Sequence, residues 1–280
     1  MLVCINKHFS LFLLNNLRKL FTYSINILLS SFIADFISGN AIPVLLSIFI
    51  VAILYSSVGH GGASGYLAVM TIFSFNPQIL RSSALLLNLF VSGIAFLQYY
   101  RKGYFKWNIF LPFAITSVPF AFLGGMMTLD TFLYKKILGF CLLFAVFRMI
   151  LNIKTDSVQR NDLSFKVGLV TGAVLGFVSG IIGVGGGIFL SPLLLLLHWA
   201  DMKETAAVSA LFIFVNSAAG LTGILSSGLS FSSEIFIWVP AALLGGIIGS
   251  YMGSFKVSGK ALRYVLSVVL LFASVKLFFY

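Results

Sequence analysis

Acidic side chains are scarce in this chain, with seven aspartates and glutamates among 280 residues against eighteen lysines and arginines. All seven (Asp35, Asp130, Asp156, Asp162, Asp201, Glu204 and Glu234) fall in polar joints, near the ends of apolar runs or in the N-terminal region. Cation carriers and proton pumps usually hold a carboxylate at membrane depth, so this distribution argues against them and favours an anionic substrate. Charged residues of both signs make up only 9% of the chain, against roughly 25% in an ordinary soluble domain, which excludes a soluble globular protein. Two cysteines are present, Cys4 and Cys141, both among apolar residues and without metal-ligand or redox spacing. They read as packing, and the sequence predicts no metal, no cofactor and no catalytic residue.

What the chain does have is apolar length. It is 60% hydrophobic, in runs of about 20 residues joined by short polar links, the pattern of a multi-pass helical membrane protein. Its net charge of +11 is spread over joints and span ends, which points to topology-setting flanks and a lipid bilayer partner and away from nucleic acid. Residues 1–41 form an N-terminal extension read as an interfacial amphipathic helix, an extra transmembrane helix or a signal-like leader. A first transmembrane repeat is expected over 42–152, a polar connecting loop over 153–166, and a second repeat over 167–280.

Two glycine knots interrupt these runs, Gly59-His60-Gly61-Gly62-Ala63-Ser64-Gly65 and Gly180-Ile181-Ile182-Gly183-Val184-Gly185-Gly186-Gly187. Each helix-interior glycine costs about 1 kcal/mol relative to alanine, so the helix is expected to break at both. A break releases backbone N–H and C=O groups, tolerated at membrane depth only where they are buried in protein or line a wet cavity. It also exposes a helix N-terminus, whose partial positive charge and unpaired donors suit an anion.

The landmarks around the knots recur. Gly59, Gly61 and Gly62 match Gly183, Gly185 and Gly186; Gly103 matches Gly228; Pro119-x-x-x-Leu123-Gly124-Gly125 matches Pro240-x-x-x-Leu244-Gly245-Gly246; and Leu142-Leu143-Phe144-Ala145 matches Leu270-Leu271-Phe272-Ala273. The expected fold is therefore all-α, a polytopic transmembrane helical bundle of two homologous four-helix repeats with Gly-rich broken helices. If each broken segment crosses the bilayer once, the repeats are parallel. If it enters and returns as a hairpin, they are inverted.

The run Gly176-Phe177-Val178-Ser179-Gly180-Ile181-Ile182-Gly183-Val184-Gly185-Gly186-Gly187-Ile188-Phe189-Leu190-Ser191-Pro192 resembles the Ser-Gly-x-x-Gly-x-Gly-Gly-Gly motif of the TauE/SafE family, also called the toluene sulfonate uptake permeases. The resemblance covers the chain from about residue 42 onward. It implies a multi-pass protein of a bacterial-type plasma membrane. It also implies transport of small sulfur-containing anions such as sulfite, sulfoacetate and other sulfonates. The first knot departs from the motif, with Ala63 in place of the last glycine and His60 where the second half has Val184.

The candidate substrate-binding residues are Gly59, His60, Gly61, Gly62, Ser64, Asn88, Gly183, Gly185, Gly186, Gly187 and Asn216. His60 is the ionisable residue within the knots, able to add positive charge or carry a coupled proton, or simply to hydrogen-bond a freed carbonyl. Asn88 and Asn216 sit in apolar runs, where interhelical hydrogen bonding competes with substrate contact. Arg81 reads either as an oxyanion ligand facing a cavity or as a span-end residue at the headgroups. The expected function is a secondary carrier for a small anion in the cell membrane, with homo-oligomerisation left open. The rivals are an anion channel and an intramembrane serine hydrolase, because Gly62-Ala63-Ser64-Gly65 resembles the rhomboid nucleophile motif.

Overall fold

The computed structural model describes residues 41–150, 161–228, 234–254 and 260–279. Residues 1–40 of the expected extension and most of the connecting loop lie outside the described residues. The chain divides into two units, Met1–Pro43 and Val44–Tyr280. Among the described residues all regular structure is helical: α1 (Ala41–Ser56), α2 (Ala63–Ile72), α3 (Pro77–Arg101), α4 (Trp107–Met126), α5 (Thr131–Ile150), α6 (Phe165–Ile182), α7 (Gly187–Leu196), α8 (Met202–Ser226), α9 (Ile235–Ser254) and α10 (Lys260–Phe279).

The few acidic residues serve these boundaries. Asp130 accepts the N–H groups of Phe132 and Leu133 at the start of α5. Asp201 and Glu204 form a capping box on α8. Five of the described helices are long and apolar enough to cross a membrane, over Ile79–Arg101, Trp107–Met126, Phe165–Ile182, Met202–Ser226 and Ile235–Ser254. Large apolar side chains such as Phe132, Val170 and Phe272 stand exposed on the outside, while Asn88, Ser191, Ser209 and Ser217 are buried. That is the distribution a bilayer imposes, since polar side chains must find partners inside the bundle.

The broken segments are hairpins. Just before α6, Asn161 donates through its N–H to His198 O at 3.2 Å and through Nδ2 to Leu197 O at 3.0 Å, so the end of α7 has come back to where α6 began. In the first half Gly65, the third residue of α2, lies against Val51 and Tyr55 of α1, so that chain also doubles back. Corresponding helices of the two halves run antiparallel. In the α3–α8 pair Leu85 meets Gly220, Asn88 meets Ser217 and Gly93 meets Phe214. In the α5–α10 pair Lys136 Nζ donates to Phe278 O and Ser274 Oγ to Gly139 O. The helix lengths also match in order: α2 and α7 have 10 residues each, α3 and α8 have 25, and α4 and α9 have 20.

Glycine faces hold the halves together. On α6, Gly168, Gly172, Gly176 and Gly180 press on Pro112, Phe113, Ser117 and Ala121 of α4, and on α9, Gly245, Gly249 and Gly253 press on Phe49, Ile53 and Ser57 at the end of α1. Removing the side chain lets two backbones approach, which is how helices pack where lipid offers no hydrophobic drive. A methyl group at Gly176 would collide with the Ser117 backbone, whereas at Gly220 it would meet only the Leu85 side-chain tip, at 3.3 Å. Gly176→Ala should therefore lower the thermal unfolding midpoint of the purified protein in detergent well below that of Gly220→Ala, the overpacking cost being about 1–3 kcal/mol.

Candidate functional site

The knots are short stretches where two pairs of helices meet end to end. Helix α1 stops at Ser56 and α2 starts at Ala63; α6 stops at Ile182 and α7 starts at Gly187. The N-caps, Gly62 (φ 98°) and Gly186 (φ 79°), are left-handed, and neither supplies a side-chain cap. A residue with a Cβ is strained in that conformation. The carbonyl ends of α1 and α6 are closed locally: Gly59 N–H donates to Ser56 O and His60 N–H to Tyr55 O, while Gly183 and Val184 both donate to Ser179 O. The breaks are narrower than the glycine runs suggest. Gly65 is helical and packs on α1, and Gly180 is helical and packs on Ala121.

Asn88, from the middle of α3, joins the two knots. Its Oδ1 accepts the Ala63 N–H at 3.2 Å, and its Nδ2 donates to Val184 O at 3.3 Å and to Ser217 Oγ at 2.9 Å. Gly61 and Gly185 both lie so close to this side chain that neither has room for a Cβ. One buried amide thus serves the first turn of α2, a carbonyl of the second knot and a hydroxyl of α8.

His60 forms a second link. Its Nδ1 lies 3.0 Å from Val58 O, and its Nε2 lies 2.9 Å from Ser191 Oγ on α7. A carbonyl can only accept, so Nδ1 carries a proton and Nε2 is the nitrogen free to change role. Ser191 Oγ also lies 2.9 Å from Gly187 O and 2.9 Å from Ser209 Oγ on α8. The imidazole edge is 3.8 Å from the position of a Cβ on Gly187, which places the two helix starts side by side. Ser64 Oγ pairs with Tyr55 OH at 2.7 Å. The nucleophile of the hydrolase reading therefore faces a tyrosine, and the outer nitrogen of His60 is aimed at a different serine.

Three features of this arrangement lie beyond the sequence reading. Arg81 is turned inward, to backbone carbonyls of two neighbouring helices. It is buried, and its guanidinium donates to Met127 O at 2.9 Å, Gly124 O and Gly125 O at 3.3 Å and Gly180 O at 2.9 Å. It is a cation on the carbonyl ends of α4 and α6, where the helix dipoles favour positive charge. Asn216 donates to Phe212 O of its own helix, and its Oδ1 has no partner. Gly59 lies against Ala206 and Gly183 against Arg81, so α3 and α8 correspond at a shift of 125 residues (206 less 81). At that shift Asn88 matches Ile213 in sequence position, while in space it meets Ser217. Ser191 was not singled out as a site residue; its signal was the small residue before Pro192 that closes the second motif.

The family described as "Sulfite exporter TauE/SafE" matches residues 44–277. The chain belongs to that family. It is similar to a "Probable membrane transporter protein y4hK" of Sinorhizobium fredii, 36% identical over 246 residues covering 85% of this chain and 98% of the relative. A "Probable membrane transporter protein MJ0441" of Methanocaldococcus jannaschii is 26% identical over 251 residues, covering 82% of this chain and 92% of the relative. No solved structure gives a significant match. This TauE/SafE protein is thus a multi-pass membrane transporter.

Arg81→Met would take the guanidinium from the buried carbonyls of Gly125 and Gly180 and from those of Gly124 and Met127, at a cost of at least ~2 kcal/mol. Its unfolding midpoint in detergent should fall clearly, with Arg81→Lys falling less. An unchanged midpoint in the methionine variant would dismiss the clamp.

Proposed function

We propose that the protein is a secondary carrier that moves a small oxyanion, sulfite or an organosulfonate, across the cell membrane, binding it where the two knots meet. The observation that carries this reading is the pair of helix starts, α2 and α7, that meet at Gly187 and His60, each with a glycine N-cap that offers no side chain, Asn88 taking one N–H of α2 at Ala63. Helix geometry leaves first-turn N–H groups outside the intrahelical ladder, and the dipole adds positive potential there. The family description names sulfite, and the small knot suits an anion of that size. Gly59, Gly61, Gly62, Gly183, Gly185, Gly186 and Gly187 supply the close backbone. His60, Ser64, Asn88 and Asn216 supply the side chains.

The matched helix lengths, the antiparallel pairing of corresponding helices and the repeated sequence landmarks support an inverted duplication. Alternating access then moves α4, α6 and α8 against α1, α3 and α9. Two cations cross between these groups: Arg81 of α3 on the ends of α4 and α6, and Lys203 of α8 on Gly253 O at 2.6 Å at the end of α9. Because α3 and α8 are antiparallel and both residues lie near helix starts, these ties sit at opposite ends of the bundle. Nothing in the site calls for a cofactor, a metal or nucleic acid, and the reading is of a transporter rather than an enzyme.

Purified protein should be stabilised against heat by sulfite or short sulfonates and less by sulfate or carboxylates. Gly187→Ala combined with Ile213→Ala, which removes the side chain the new methyl would strike, should remove that stabilisation and uptake into liposomes. Stabilisation by cations alone would refute the anion reading.

His60 also gives this site a means of coupling to protons. When Nε2 is protonated it becomes a donor, and the Ser191 proton turns to Gly187 O. The titratable neighbour is Tyr55, whose ring centroid is 6.5 Å away. His60→Gln keeps hydrogen bonding but cannot titrate, so it should flatten the pH profile of uptake; a profile equal to that of the wild type would exclude a proton role.

A further inference from the structure

A second cavity, of about 310 Å³, opens where α2 gives way to α3 and is closed by α5 and α10. Its polar lining is Thr71, Ser74, Asn76, Lys135 and Lys276, over an apolar wall that includes Phe75. Two half-buried ammonium groups therefore share one small space, and no carboxylate is among its lining residues. Asp130, the residue before α5, accepts the N–H groups of Phe132 and Leu133.

The cavity is built rather than incidental. Lys276 Nζ donates to Ile72 O at 2.9 Å and to Ser74 Oγ at 2.8 Å, which fixes its charge at the mouth. Ser74 is held in a left-handed conformation (φ 62°) by the turn, in which its N–H donates to Thr71 O. Thr71 is only 7% exposed, yet its hydroxyl has no hydrogen-bond partner. A buried hydroxyl without a partner costs about 1–3 kcal/mol, and here it borders a space large enough for the group that would satisfy it.

We infer that this cavity is a binding site for a singly charged oxyanion carrying an apolar substituent, distinct from the knots and independent of the reading given to them. The two lysines supply the charge, Thr71 and Asn76 supply hydrogen bonds, and the wall around Phe75 takes the substituent. The same chemistry is offered by a free organosulfonate and by the phosphodiester of an anionic lipid. A volume of 310 Å³ is at the lower end for small-molecule sites, which suits a short chain and not a bulky one.

The test uses the full chain and two probes. Ethanesulfonate binding is measured by calorimetry in detergent, and phosphatidylglycerol retention by native mass spectrometry. Lys135→Gln and Thr71→Val are the variants of choice, because Lys276 also caps the end of α2 and its loss would mix a folding effect into the readout. The expected result is at least a tenfold weakening of one probe in Lys135→Gln, and a smaller loss in Thr71→Val. A Lys135-dependent effect on ethanesulfonate identifies a free anion site, and one on phosphatidylglycerol alone identifies a lipid headgroup site. Wild-type affinity for both probes in Lys135→Gln overturns the inference and leaves the reading of the knots untouched.

Discussion

Backbone polar groups have no water to turn to inside a bilayer, and every feature of this fold answers to that constraint. Breaking four helix ends near the middle of the bundle is tolerable only because other groups take over the released donors and acceptors. Asn88 is the chief of these, with one amide oxygen on the start of α2 and one amide nitrogen shared between the second knot and α8. Arg81 does the same for the carbonyl ends of α4 and α6. The interior is polar at few points, and those points are where chain is missing its own hydrogen bonds.

The second organising element is close approach. Glycines along α6 and α9 bring each helix against a helix of the opposite half, α4 and α1 respectively. The two halves are thereby interleaved. The hairpins α1–α2 and α6–α7 enter from opposite ends and place their turns next to one another. The proposed site would be made by the crossing of the two halves and belong to neither alone.

Much of this was legible in the sequence. Hydropathy located the helices to within a few residues, because ~20-residue apolar runs have few other uses, and the glycine runs located both breaks. Composition cannot distinguish a glycine that breaks a helix from one that lets it pack, so Gly65 and Gly180 were assigned to the knots although both are helical. Span counting left the repeats parallel or inverted, and it took the meeting of Asn161 with His198 to show that the chain returns. Arg81 was misread for a related reason: a lone cation near a span end looks the same whether it faces lipid, solvent or the carbonyls of neighbouring helices. Asn88 and Asn216 read alike in the sequence, as amides in apolar runs, but Asn88 bridges the knots while Asn216 bonds its own helix, and at the 125-residue register of α3 and α8 Asn88 falls on Ile213.

That register bears on energetics. In the proposed duplication Arg81 matches Ala206, Asn88 matches Ile213 and His60 matches Val184. A perfectly two-fold inverted repeat would have inward-open and outward-open forms that are images of one another, and therefore equal in free energy. Unlike residues at matched positions lift that degeneracy. A carrier of the proposed kind would rest, when empty, with one mouth favoured over the other, and its apparent affinities from the two sides would differ even though, at equilibrium, the gradients alone set the direction of net flow.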